Sequence, residues 1–417
     1  MNEGKNSRPD LRRLRVLISA YACCPDHGSE PEVGWGFSQA LAVYNDVWVL
    51  TRAANRERIE AELRKHPLEG IHFLYYDLPE LFDWGKRGGL CIQIHYYLWQ
   101  LFVVFKIWKF QREIGFDVAH HVTFAKYWAP SCLAWLNIPF VLGPVGGAEK
   151  TPPGLLSALD CWGKFLERIK FLVSRLGEFD PLVRRSVRRA ALAFASTLES
   201  AERLGKMGAR SVQIVTQIGV NVPTVQVRLS ETPRCRFISI GRLVHWKGFL
   251  LGLRAFHESG LLDTEFWVIG DGPCRSEMEH FAVEHNLNVT FFGSLTFSET
   301  QNKLENADVL VHPSFHDSAG MVCLEAMSAG KPVICLKTGG PEGLVDDTCG
   351  VRIPVNTVRN VIDGLSEAMI RLASDSGVRY KMGYIAQERV RSTFTWQKRA
   401  EFMTDYYLEL AEDGVPV

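Results

Sequence analysis

Residues 312–340 read HPSFHDSAGMVCLEAMSAGKPVICLKTGG, and no other part of the chain says as much. Two acids, Asp317 and Glu325, stand eight residues apart with the small-residue turn Ser318-Ala319-Gly320 between them. An apolar helical run, Met321 to Ala329, follows, and then an apolar strand, Pro332 to Leu336, that ends in Gly339-Gly340. A turn feeding a helix presents unpaired N–H groups at the positive end of the helix dipole. Such a terminus binds anions, phosphate above all. Ser318, Ala319, Gly320, Met321 and Val322 are therefore candidates to hold a phosphate. Carboxylates on either side can accept from sugar hydroxyls.

A second segment, residues 236–248, reads RFISIGRLVHWKG. Phe237 to Ile240 is a short apolar run, read as a buried strand. It stops at Gly241; Arg242 and Lys247 flank the loop that follows, and Phe249 opens a helical pattern. Two cations at the carboxyl end of a strand can neutralise a diphosphate. Taken singly, each reads as an ordinary solvated charge. The helix-capped anion site downstream makes the pair more informative. Anion site, cations and hydroxyl acceptors together suggest a nucleotide-sugar.

The two segments resemble family 4 of the retaining glycosyltransferases, built on the two-domain GT-B fold. Pro313-Ser314, Asp317, Gly320 and Glu325, followed by AMSAGKPV and TGGPE, match one family signature; Gly241, Arg242, Leu243, Lys247 and Gly248 match the other. The family usually has Glu where this chain has Asp317. The resemblance implies an α/β chain with two Rossmann-like, doubly wound parallel-sheet domains facing each other across a cleft. It implies a transfer of a sugar, UDP- or GDP-linked, to a glycan or lipid-linked glycan with retention of configuration. The donor would lie on the second domain, with Arg242 and Lys247 on the diphosphate, Glu325 on the ribose, Gly270 and Gly272 near the nucleotide, and Phe292-Gly293 beside the base. Asp317 and a histidine of the first domain, His120 or His121, would stand at the sugar. No cofactor and no metal are expected, the nucleotide-sugar being a substrate. The setting implied is bacterial cell-surface polysaccharide or glycolipid synthesis.

Apolar runs alternate with helical patterns along the whole chain, which indicates parallel sheets covered on both faces. Strands are read at 15–22, 46–52, 71–78, 116–124, 139–147 and 191–197, and again at 236–240, 264–269, 289–292, 308–312 and 332–336. The divisions expected are a basic flexible N-terminus at 1–14, an acceptor domain at 15–225, a donor domain at 234–392, and a tail at 393–417 whose helix, in the resembled fold, crosses back to the first domain. The hinge is placed near Asn221 to Pro233.

Composition excludes several classes. The chain of 417 residues carries 47 Lys plus Arg against 47 Asp plus Glu, so no net charge draws it to nucleic acid. Its ten cysteines show no metal-ligand spacing, and Cys323 and Cys335 lie in apolar runs that suit buried thiols. The polar N-terminus has no apolar signal core, which argues against secretion and for a cytoplasmic protein. GDGPCR, after the strand at 264–269, lacks the third glycine of a dinucleotide fingerprint, so a dehydrogenase ranks last.

In the first half, the loop CCPDHGSEPEVGWG offers Gly28 for close backbone approach and Glu30 and Glu32 as hydroxyl acceptors; a capped surface turn is the plainer reading. His120 and His121 end a strand, and alternation sends them to opposite faces, His120 being favoured for the cleft. Gly146, Gly147 and Glu149 at the edge of a later strand are acceptor-side candidates. The interrupted apolar run from Gly88 to Phe110 reads as a buried helix or one lying on a membrane surface. A basic stretch from Lys164 to Arg189, mixed with Phe165, Phe171 and Leu172, adds an argument for peripheral attachment to an anionic inner leaflet. Two other readings stand beside the transferase. One is a GT-B-type phosphorylase or sugar synthase; the other is a non-catalytic, transferase-like partner subunit.

Overall fold

The computed structural model describes residues 12–25, 28–79, 81–82, 89–216, 218–222 and 234–413. The hinge expected at 221–233 and the N-terminus expected at 1–14 fall largely outside these residues.

Two parallel sheets form the frame. The first holds β1 (Arg15–Ser19), β2 (Asp46–Arg52), β3 (Ile71–Tyr76), β4 (Val118–His121), β5 (Phe140–Val145), β6 (Leu192–Ala195) and β7 (Val212–Ile214) in the order β3-β2-β1-β4-β5-β6-β7. The second holds β8 (Cys235–Ile240), β9 (Thr264–Ile269), β10 (Val289–Gly293), β11 (Val309–His312), β12 (Val333–Leu336) and β13 (Gly350–Ile353) in the order β10-β9-β8-β11-β12-β13. Every residue of β4, β5, β6, β11 and β12 is buried. That is the signature of strands covered by helices on both faces. The strand order reverses between β1 and β4 and between β8 and β11. Ligands of such sheets sit past the strand ends at these reversals. The two segments singled out in the sequence, 241–248 and 313–320, emerge there from β8 and β11.

The last helix, Trp396–Asp413, returns to the first sheet. Trp396, Ala400, Met403 and Tyr407 are buried in the core that also holds Val16, Phe37 and Val118. Its polar edge is tied down as well. Tyr44 Oη donates to Glu401 Oε1 at 3.0 Å, Asn45 Nδ2 to Thr404 Oγ1 at 2.9 Å, and Tyr406 Oη to Gln213 Oε1 at 2.7 Å.

The interrupted apolar run is two helices, Gly89–Phe102 and Val104–Ile114, broken at Val103. Tyr96, Trp99 and Ile107 are buried against the first sheet. Two of the polar residues that interrupt the run are held in the core by hydrogen bonds: Tyr21 Oη meets His95 Nδ1 at 2.8 Å, and Cys132 N donates to Gln100 Oε1 at 2.8 Å. The run is thus core-packed over much of its length. Among the described residues no helix is long and apolar enough to cross a membrane.

Candidate functional site

The cleft chemistry centres on Asp317. The loop after β11 brings its carboxylate to Lys247, on the short helix His245–Lys247 after β8, with Nζ 2.6 Å from Oδ2. His312 Nε2, at the end of β11, lies 3.1 Å from the same oxygen. Oδ1 accepts from the amides of Ala319 and Gly320 at 3.2 and 3.1 Å. Burial alone would raise the carboxyl, but the Lys247 ammonium and the His312 contact hold it well below the usual carboxylate range. The acid therefore caps its own turn. This leaves Met321 and Val322, at the start of the helix Met321–Ser328, as the orphan first-turn donors among the described residues. Glu325 sits one turn further on. Burial pushes its carboxyl up to about 7, so at neutral pH it is shared between donor and acceptor forms.

Lys247 and Arg242 line two neighbouring cavities, and Trp246 lines both. Lys247 lines a space of about 270 Å³ with Glu167, Lys170, Trp246, His316, Asp317 and Ser318. Arg242 is exposed and lines a neighbouring cavity of about 600 Å³, beside Asp160, Trp162 and Pro273. Gly270 and Gly272 pack against the backbone of Gly241 and Leu243, where a Cβ would come within 2.0 and 2.4 Å of a carbonyl oxygen. They hold the loops after β8 and β9 together. Phe292 packs edge-on to Trp267, with Lys303 Nζ 4.1 Å above its ring, and Gly293 follows in a left-handed turn.

The first domain closes on this centre. Ser318 Oγ donates to Glu149 Oε2 at 2.5 Å and accepts from the amide of Gly147 at 3.2 Å. Glu149 also takes the Gly147 amide and the hydroxyls of Thr197 and Ser200, so both its oxygens are occupied. A Cβ on Gly146 would lie 2.6 Å from the Ser318 side chain, so only glycine permits the approach. Gly28 faces the ring of Phe297 on the second domain. Glu30 accepts from the Phe124 amide at 2.9 Å, and burial raises its carboxyl. Glu32 lies against Gly36 at the start of the helix Glu30–Ala42.

The histidines correct the expectation that His120 faces the cleft. They do point to opposite faces, and both are buried. His120 meets Tyr407 Oη of the last helix through Nδ1 and the Gly143 carbonyl through Nε2. His121 Nε2 meets Tyr96 Oη at 3.0 Å. Burial lowers their pKa values to about 4 and about 3, so both are neutral at pH 7. His120 ties the tail helix to β4, and His121 packs toward the helix Gly89–Phe102.

Two first-domain residues at the centre, Glu167 and Lys170, have no spacing in the sequence that marks them as site residues. Glu167, on the helix Cys161–Gly177 of the first domain, accepts from His316 Nε2 at 3.2 Å and from Thr151 at 3.0 Å, and lies 3.5 Å from His245 Nε2. Its carboxyl, which burial would raise, is held far below its usual range by the two histidines. Lys170 Nζ lies 3.3 Å from the His316 ring. Glu167 and Lys170 also line a second cavity, about 350 Å³, with Gly147, Glu149, Lys150 and Phe171. The two cavities therefore share one wall. Among the described residues no group of three His, Cys, Asp or Glu converges as a metal site.

Residues 226–389 match the family model described as glycosyl transferases group 1. Among curated proteins, the lipopolysaccharide core biosynthesis glycosyltransferase LpsD of Rhizobium meliloti is 29% identical over 252 residues, 59% of this chain and 70% of the relative. LpsE of the same organism is 27% identical over 251 residues, 58% and 69% of the two chains. Among solved structures, a sucrose-phosphate synthase from Thermosynechococcus elongatus superposes with a TM-score of 0.64 at 18% identity, covering 96% of this chain and 99% of that one. Anabaena HepE in complex with UDP and glucose gives 0.62 at 16% identity over 95% and 100%. The lipopolysaccharide glycosyltransferase WaaG gives 0.58 at 17% identity over 93% and 99%. The fold is GT-B, and the family match and relatives support a glycosyltransferase.

Proposed function

We propose that this chain is a retaining, metal-independent family 4 glycosyltransferase. It moves a hexose from a UDP- or GDP-sugar to a glycan or lipid-linked glycan at the cytoplasmic face of a membrane, in cell-surface polysaccharide or glycolipid synthesis. The reading rests on one observation: the Lys247–Asp317–His312 cluster lies beneath a helix N-terminus at the switch point of the second sheet, and Ser318 of that turn touches the first domain. Met321 and Val322 amides and Lys247 would take the diphosphate, and Glu325 the ribose. As the glycosidic bond breaks, negative charge grows on the leaving diphosphate, and fixed donors aimed there lower the barrier. The acceptor hydroxyl would enter from the cavity walled by Glu167 and Lys170. Its proton would pass to a phosphate oxygen on the same face, which keeps the anomeric configuration.

The test is a panel of nucleotide-sugars incubated with the protein in excess EDTA, with released nucleotide measured and the product anomer assigned by NMR. Turnover of one donor with its configuration kept is the expected result. Inversion, a strict need for added manganese or magnesium, or release of sugar phosphate only when inorganic phosphate is supplied would overturn it.

A further inference from the structure

The helix Cys161–Gly177 is turned inside out. Its polar face, with Lys164, Glu167, Lys170 and Ser174, lines the acceptor-side cavity, and Ser174 is buried. Its apolar face looks outward: Trp162 is 63% exposed, Leu172 58% and Leu176 62%, and Phe165, Ile169 and Val173 are exposed with them. These residues recur at three- and four-residue spacing and so form one stripe along the helix. An ordinary surface helix of a water-soluble domain has the opposite orientation. Phe179, 66% exposed, carries the stripe past the helix end.

At that end the stripe meets a cavity of about 520 Å³ lined by Phe179, Pro181, Arg184, Arg185, Arg188, Arg189 and Arg210. Five guanidinium groups and no carboxylate line it. Aromatic groups flank it: Arg185 lies 4.3 Å over the Trp135 ring, and the Trp108 indole N–H donates to the Trp135 carbonyl. Exposed apolar side chains beside clustered arginines suit a surface that is apolar below and anionic at head-group level.

We propose that the helix Cys161–Gly177 lies in the plane of an anionic lipid monolayer, with Trp162, Phe165, Ile169, Leu172 and Leu176 among the acyl chains and the arginine cavity on lipid phosphates. A helix of this length covers roughly 25 Å of membrane surface. The occupant is a bilayer rather than a protein groove because the apolar stripe and the arginine cluster are adjacent and the cluster selects phosphate. This rests on the membrane-side location proposed above and names its surface. It also places the acceptor cavity on the other side of the same helix, one helix width from the head groups, where a lipid-linked acceptor can enter without leaving the membrane.

The experiment is flotation of the full chain with vesicles of phosphatidylcholine alone and of equal parts phosphatidylcholine and phosphatidylglycerol, at low and high salt. Wild type should float with the anionic vesicles and be released by salt. R185A/R188A should bind about 25-fold more weakly, at roughly fivefold for each arginine removed. F165E and L172E should each lose roughly tenfold or more. Circular dichroism of each variant should match wild type, since all four side chains are exposed or at the surface, and turnover with a water-soluble acceptor should be unchanged. Wild type that stays unbound at low salt, or variants that float as wild type does, would overturn the proposal. So would sedimentation showing a dimer that F165E and L172E split, because the stripe would then be a self-interface. Vesicle binding without any nucleotide-sugar turnover would sink the transferase reading and leave this surface standing.

Discussion

Replacing Lys247 by Ala should be felt in stability and in turnover. Its ammonium sits 2.6 Å from Asp317 Oδ2, with the two side chains 21% and 18% exposed. In the variant the carboxylate keeps His312 and the amides of Ala319 and Gly320. With those partners left, the loss should fall short of the about 3–5 kcal/mol that follows stranding a buried charge. It should lie nearer the roughly 1–3 kcal/mol of an unmade charged hydrogen bond. If Lys247 faces the diphosphate, the rate should drop by a further 10²–10³, roughly, at saturating donor. Urea unfolding of wild type, K247A, D317N and the double variant closes a cycle whose coupling should be about 0.5–3 kcal/mol. Single-turnover kinetics of K247A give the rate term. Additive stabilities together with near-normal turnover would show that the pair neither anchors the loop nor meets the leaving group.

Gly146→Ala drives a Cβ to within 2.6 Å of the Ser318 side chain. Loss of the Ser318–Glu149 contact should lower turnover by as much as about 10²-fold, the scale for a misplacement of about 1 Å, while the melting temperature barely moves; unchanged kinetics would mean the cleft need not close here. Glu325, raised by burial to about 7, keeps in the folded state a proton that the unfolded chain releases near pH 4–5. Its contribution to stability is therefore present in acid and lost as pH rises through about 7. Glu325→Gln removes that slope, so the variant's melting temperature should gain on wild type between those pH values, and a constant gap would contradict the burial argument. Tyr407→Phe strands His120 Nδ1 in the core and should cost roughly 1–3 kcal/mol in urea with turnover little changed; a collapse of activity at unchanged stability would instead give His120 a chemical role.

Most of the frame was readable because parallel strands covered on both faces are continuous apolar runs. Two strands were not. β7 (Val212–Ile214) and β13 (Gly350–Ile353) are short edge strands, and each carries a polar residue, Gln213 or Arg352, where an apolar run would have marked it. β1 and β4 are shorter than the apolar runs at 15–22 and 116–124 because burial continues past the strand ends: Tyr21 and Val122 are core residues outside the strands. At the site, Lys247, Asp317 and Ser318 were legible from spacing, since they lie on loops whose positions the strands dictate. Glu167 was not, because its partners His245 and His316 are far away in sequence and meet it only when the domains face each other. Arg242 and Lys247 both stand on the segment after β8, one on each side of the start of the short helix His245–Lys247. Alternation says which strand faces differ and not which element covers each; over His120 the cover is the tail helix.

That tail helix has a consequence for how the protein is made. The first sheet is encoded before residue 215, yet Tyr407, Met403 and Trp396 complete its core. On the ribosome, at about 5–20 residues per second, the first domain must wait on the order of ten seconds or more while the whole second domain is synthesised. During that wait His120 and Phe194 lack the helix that packs against them. The first half therefore exposes apolar core surface until the end of the chain is made, and a chain truncated before residue 396 should sediment as an aggregate, where full-length protein stays in the supernatant.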